Sequence, residues 1–260
     1  MTLFDQAGLG LTAALALMTV VWGVSLVLRD VSIIDWVWGL VFVLMAWLYR
    51  TTGFADPGRA WLVPFLVTLW GLRLAIHLVW RHRGEDPRYA EMRSRSGPGF
   101  RWRSLVTVFW LQAGIAWVVA WPLLLSIRRG GELGTLDLVG MTLFALGLAL
   151  ESAADAQLVR FRHDPSNRNR VLDRGLWRYS RHPNYFGEAL VWWGLWLLAV
   201  AVGAWWTVFS PLLMTWLLVR VSGVPMLEER LVETRPGYAR YIRRTPAFVP
   251  WFPRDEELEP

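Results

Sequence analysis

Glu151, Asp155 and Arg162 stand out from an apolar stretch because their spacing, offsets of four and then seven, keeps all three on one helical face. An acidic side chain at membrane depth costs about 2.5 to 3.5 kcal/mol on insertion scales, so Glu151 and Asp155 need partners or a wet cavity. A structural ion pair between helices would meet that need, and so would a polar ligand. The residues that follow favour the ligand.

Downstream lies Gly175-Leu-Trp-Arg-Tyr-Ser-Arg-His-Pro-Asn-Tyr-Phe-Gly-Glu188. Proline is tolerated in the first turn of a helix, where its missing N–H is not needed, so Pro183 predicts a helix starting near His182. The open N–H groups of that start would stand beside Arg178, Arg181 and His182. Such an arrangement is a ready site for phosphate. Asn184 and Glu188, one turn apart, would then hydrogen-bond a polar ring or a ribose. The competing reading has both residues only stapling a bundle.

Other chemistries are excluded by composition. The chain has no cysteine, which removes disulfides, thiolate catalysis and thiolate metal sites. Its four histidines, at 77, 82, 163 and 182, have no metal-ligand spacing, so no metal is expected.

The elements that position these residues are membrane spans. Of the 260 residues 55% are hydrophobic, and they come in unbroken runs rather than in alternation. Runs near 9–28, 32–49, 60–80, 104–126, 136–157, 185–202 and 204–221 each approach the roughly 20 residues that cross a bilayer core. The expected fold is an all-α polytopic transmembrane bundle of about seven spans, or six if the short second run or the break at Gly203 is a tight hairpin. The first run is read as a span rather than a cleaved leader, since Met1–Gly8 carries no basic residue.

Arginine gives the orientation, because positive side chains are retained on the cytoplasmic side. The chain has no lysine, and of its 27 basic residues seven fall at 81–103, seven at 160–181 and seven at 220–254. With Arg29 these share one side, against Arg50, Arg59, Arg128 and Arg129 on the other, while Arg73 lies within the third span. The amino terminus is therefore expected outside and the carboxyl terminus in the cytoplasm. The net charge of +6 is explained by membrane insertion and anionic lipid, so nucleic acid is not an expected partner.

One integral-membrane domain is expected over 1–254, with an acidic tail at 255–260 expected to be disordered. The stretch after Gly223, with Glu228, Glu229, Tyr238, Tyr241, Phe248, Trp251 and Phe252, is expected to form an interfacial helix whose aromatics sit at headgroup level. The arginine-rich segments near 81–103 and 160–184 are expected to be long cytoplasmic loops.

The segment from Glu151 to Glu188 resembles the membrane superfamily of steroid 5-alpha-reductases and isoprenylcysteine carboxyl methyltransferases. It is most similar to the bacterial, steroid-reductase-like DUF1295-type branch, which implies an inner-membrane location. The reductase pattern Asn-aromatic-X-Gly-Glu is matched by Asn184 to Glu188, and a preceding Gly-Leu-aromatic-X-Tyr by Gly175 to Tyr179. An Asp followed seven residues later by Arg is matched by Asp155 and Arg162. The resemblance implies NADPH as cofactor, with Asn184 and Glu188 at the nicotinamide end and Asp155 on a ribose or amide. It places Arg162, Arg170 and Arg181 on the phosphates, within a site that includes Glu151, Tyr179, His182 and Tyr185.

The methyltransferase branch is the alternative. Arg181-His182-Pro183-X-Tyr185, followed by Glu228-Glu229 and Gly237-Tyr238-X-X-Tyr241, is similar to its S-adenosylmethionine-binding pattern. Glu151, Asp155 and the surplus of arginines favour the dinucleotide, because NADPH carries several phosphate charges and S-adenosylmethionine none. A third possibility is a non-catalytic lipid-binding or transport protein.

Reduction of a polarised C=C bond needs an acid that hydrogen-bonds the carbonyl oxygen. Steroid reductases use a Gln-Glu pair and a Tyr from the amino-terminal half, and that pair is absent here. The substitutes are Asp35, with burial beside Trp36 and Trp38 expected to keep it protonated, His77, and Tyr89 in the loop Gly84–Tyr89. Asp35 also reads as a helix-start residue, and His77 as a cavity partner of Arg73. An apolar substrate from the bilayer is expected, whether steroid, another enone, isoprenoid or lipid.

Overall fold

Apolar runs with good helix formers and few breakers fold here as helices, and no strand occurs among the described residues. The computed structural model describes residues 1–53, 57–82, 84–221, 228 and 231–254. In chain order the helices are α1 (Leu3–Leu28), α2 (Ile33–Thr52), α3 (Arg59–Arg81), α4 (Pro87–Ser96), α5 (Phe100–Ser104), α6 (Leu111–Val119), α7 (Trp121–Arg129), α8 (Thr135–His163), α9 (Pro183–Val200), α10 (Phe209–Trp216) and α11 (Tyr238–Arg244).

Five helical stretches are long and apolar enough to cross a membrane: α1, α2, α3, the 33-residue stretch Pro87–Val119 and α8. A shorter apolar stretch covers Trp205–Val221. Large apolar side chains stay exposed on the long helices, among them Phe4 at 77% and Val27 at 83% on α1, and Trp61, Phe65, Leu69, Leu72 and Ile76 on α3. Lipid, not water, is the solvent that such faces match.

The chain clusters into two compact units, Met1–Leu136 with Leu198–Ser210, and Asp137–Leu197 with Pro211–Pro260. In the first unit α2 and α3 cross at Gly39 and Gly71, where a Cβ on Gly39 would lie 3.0 Å from Gly71 Cα. Small residues let the two backbones touch. Arg59 is buried and donates to the carbonyls of Gly130 and Glu132, while Arg128 donates to Gln6 Oε1 at 2.5 Å. These two arginines, read above only as loop charges, tie helix ends together.

Two expectations change. The arginine-rich segment at 81–103 is largely helical: Asp86 caps α4 by accepting from the Arg88 N–H, and Pro87 occupies its first turn. It continues through a π-helical stretch, Leu105–Trp110, into α6. In the second unit, the described residues after Gly223 are helical at 228, at 231–234 and in α11, where Tyr238 and Tyr241 are buried rather than held at headgroup level. Trp251 and Phe252 are exposed beyond it, whereas Glu229 and the tail 255–260 lie outside the described residues.

The second unit is built on the α8–α9 crossing. Glycines seven apart on each helix, Gly140 and Gly147 on α8, Gly187 and Gly194 on α9, meet face to face. A Cβ on Gly187 would lie 2.6 Å from the Glu151 N, and one on Gly194 would lie 2.7 Å from the Gly140 O. This contact sets Glu151 and Asp155 against the first turns of α9.

Candidate functional site

Pro183 opens α9 as expected, and the two acids of α8 are buried. Asp155 Oδ1 accepts a hydrogen bond from Asn184 Nδ2 at 3.1 Å. Because the carboxylate takes the amide's N–H, the other end of that amide is fixed as oxygen. Asn184 Oδ1 is shielded from solvent and has no hydrogen-bond partner. Glu188 is buried one turn further along α9, and Glu151 is buried on α8.

The segment before α9 is clamped by α8 and by the carboxyl-terminal chain. Gln157 Oε1 accepts from the Leu176 N–H at 3.0 Å, and Trp177 Nε1 donates to the Ala154 carbonyl at 3.1 Å. The Tyr241 hydroxyl donates to the Trp177 carbonyl, Ser180 Oγ donates to the Phe248 carbonyl at 2.8 Å, and the Trp251 N–H reaches the Tyr179 carbonyl at 2.9 Å.

Arg181 is buried, and its guanidinium is engaged on three sides. Nε and Nη2 donate to the two oxygens of Glu228 at 2.7 and 3.1 Å, while Nη1 donates to the carbonyls of Ile242 and Thr245. His182 Nε2 lies 3.0 Å from Glu228 Oε1, and its ring stacks on Tyr185 at 5.4 Å. Arg181 and His182 thus hold the carboxyl-terminal strap in this structure, and these two of the donors that the sequence suggested for phosphate are turned to Glu228 and the strap carbonyls. Burial raises the Glu228 carboxyl, but the hydrogen bonds from His182 and Arg181 outweigh it and leave it below its ordinary value. Burial also pushes the Tyr238 and Tyr241 hydroxyls upward.

The remaining cofactor candidates spread out. Arg162 is exposed near the end of α8 and Tyr179 is exposed beside the strap. Arg170 lines a cleft of about 730 Å³ together with Arg174, Arg178, Arg240 and Arg244.

In the first unit the structure joins two of the three acid candidates. Tyr89 is buried, and its hydroxyl donates to Asp35 Oδ1 at 2.8 Å. Asp35 Oδ2 accepts from Arg88 Nη2 at 3.0 Å, and Arg88 also bonds Asp86 through Nε at 3.0 Å. The third candidate, His77, stands half-buried on α3. Arg88 was not singled out from the sequence; the Asp-Pro helix start beside it was the available signal. No group of residues able to hold a metal occurs among the described residues.

The family model described as "Protein of unknown function (DUF1295)" matches residues 21–245. The chain belongs to the DUF1295 family. That family is the steroid 5-alpha-reductase-like membrane family. Among its relatives is an uncharacterized protein of Schizosaccharomyces pombe, 28% identical over 278 residues, covering 93% of this chain and 78% of the relative. No solved structure matches the chain. All the residues from Glu151 to Glu188, and both Asp35 and Tyr89, lie inside the matched segment.

Proposed function

We propose that the chain is an NADPH-dependent integral-membrane reductase acting on the C=C bond of an apolar, enone-like substrate drawn from the bilayer. The observation that carries this reading is the Asn184 amide. It is held by Asp155 through its N–H, and it keeps a buried carbonyl oxygen unpaired between α8 and α9. An unpaired buried acceptor is worth about 1 to 3 kcal/mol to any donor that meets it. A carboxamide N–H is such a donor, so the residues present fit the nicotinamide end of the cofactor.

Asn184 and Asp155 orient the carboxamide, while Glu151 and Glu188 line the crossing and Tyr185 stands stacked on His182. With Arg181 turned to Glu228 and Arg170 lining the arginine cleft, Arg162 is the phosphate candidate at the end of α8. When bound, NADPH supplies a hydride to the β-carbon of the substrate. Tyr89 is the proton donor to the substrate oxygen: its one hydroxyl hydrogen, which lies on Asp35 Oδ1 in this structure, turns to the substrate, and Arg88 then balances the Asp35 carboxylate. In this reading the chain crosses the membrane seven times, with α9 and the stretch Trp205–Val221 added to the five long helices. The amino terminus is outside and the cofactor site cytoplasmic.

One observation favours the S-adenosylmethionine alternative: Arg181, His182 and Glu228, all part of the methyltransferase-like pattern, form one hydrogen-bonded group. Thermal unfolding in detergent separates the readings. A ligand at a hundred times its Kd stabilises by about 2.7 kcal/mol. NADPH is expected to raise the unfolding temperature and Asn184→Ala to abolish the rise. A rise with S-adenosylmethionine alone would remove the reductase reading, and a rise with neither would favour a non-catalytic lipid-binding protein.

A further inference from the structure

The cleft in the second unit gathers Arg170, Arg174 and Arg178 from the segment before α9 with Arg240 and Arg244 from α11, and among the described residues that line it Asp173 is the one carboxylate. Arg240 and Arg244 are one turn apart and so share a face of α11. Arginines lining one cleft of about 730 Å³ can converge on a bound anion with several oxygens.

The edge of the cleft says which anion. Pro253 lines it, and beside Pro253 stand Trp251 and Phe252, 70% and 71% exposed. Phe252 packs edge-on against the half-exposed Tyr179, with ring centres 6.0 Å apart. These rings are not loose, because the Trp251 N–H is bonded to the Tyr179 carbonyl and the Arg254 N–H to the Arg244 carbonyl, each at 2.9 Å. A soluble nucleotide phosphate would leave them in water. Aromatic rings fixed beside clustered arginines are instead the composition of an element that sits among lipid headgroups.

The position agrees. The cleft begins a few residues past the end of α8, a candidate span of 29 residues. At 1.5 Å per residue α8 is about 44 Å long, longer than the roughly 30 Å apolar core, so its end stands at headgroup depth.

We infer that this cleft binds the phosphate-bearing headgroup of an anionic phospholipid, with Trp251 and Phe252 entering the adjoining interface. The inference uses neither Asn184 nor Asp155, and it gives to the lipid Arg170, which the resemblance places on the cofactor phosphates. The test follows the unfolding temperature of detergent-purified protein titrated with short-chain phosphatidylglycerol, with phosphatidylcholine of the same chain length, with pyrophosphate and with NADPH.

Phosphatidylglycerol is expected to give the larger lipid shift, and the shift should shrink in high salt. It should be lost in Arg240→Glu/Arg244→Glu, and in the milder Arg240→Gln/Arg244→Gln if the first variant fails to fold. Trp251→Ser/Phe252→Ser should weaken it. Equal shifts from the two lipids, or a phosphatidylglycerol shift that survives loss of both arginines, would overturn the inference. So would a pyrophosphate or NADPH shift that disappears in the arginine variants while phosphatidylglycerol has no effect, which would give the cleft to the soluble cofactor. Failure of NADPH to bind wild-type protein would bear on the reductase reading alone.

Discussion

Asn184 and Arg181 are three residues apart and have opposite fates, one keeping a buried atom unpaired and the other engaged on every side by the chain itself. Two predictions follow from that contrast. Asn184→Asp would put a second carboxylate against Asp155, so NADPH stabilisation should vanish, as read by thermal shift. Arg181→Ala strips the counter-charge from Glu228 and should destabilise the second unit by about 3 to 5 kcal/mol, as expected for breaking a buried pair. Limited proteolysis near the carboxyl terminus would report it. Glu228 also sets a pH dependence. Its folded pKa is depressed, so it contributes stability above the ordinary carboxylate range, and this is lost as pH falls through the folded value. Melting curves below about pH 4.5 should therefore show an acid-induced loss that Glu228→Gln removes. Tyr89→Phe should lower turnover by about a hundredfold or more, the usual size of a lost general acid, while the NADPH shift stays intact.

Among the elements, the α8–α9 crossing controls the site because backbone meets backbone there. Gly187→Ala would place its Cβ 2.6 Å from the Glu151 N, an atom that cannot swing aside. The helices would have to separate, and overpacking of this kind costs about 1 to 3 kcal/mol. Both the melting temperature and NADPH binding should fall, whereas Gly8→Ala on α1, with nothing within 4 Å, serves as the unperturbed control. The glycine spacing of seven on both helices was visible in the sequence, but which helix faced which was not. α4 shows a different failure of reading. Its Asp86-Pro87 start and its Glu91–Arg95 pair one turn apart are helix signals, hidden by the arginines that made the segment look like a loop.

For the whole molecule the testable quantity is orientation. The absence of cysteine makes single-cysteine reporters clean. Ser94→Cys and Ser166→Cys, both at exposed positions, should react with a membrane-impermeant thiol reagent only after the membrane is opened, and Glu132→Cys in intact cells. The reverse pattern would overturn the proposed topology.

The sequence by itself determined the helical class, the start of α9 at Pro183 and the acids buried on α8, because run length, proline geometry and the expense of charge in an apolar run act locally. Tertiary structure alone decided that Arg181 answers to Glu228, 47 residues away, that Arg88 braces Asp35 across 53, and that five arginines from two segments share one cleft. A guanidinium can serve a carboxylate, a carbonyl or a phosphate equally well, so its role is set by whichever acceptor the folded chain brings within reach.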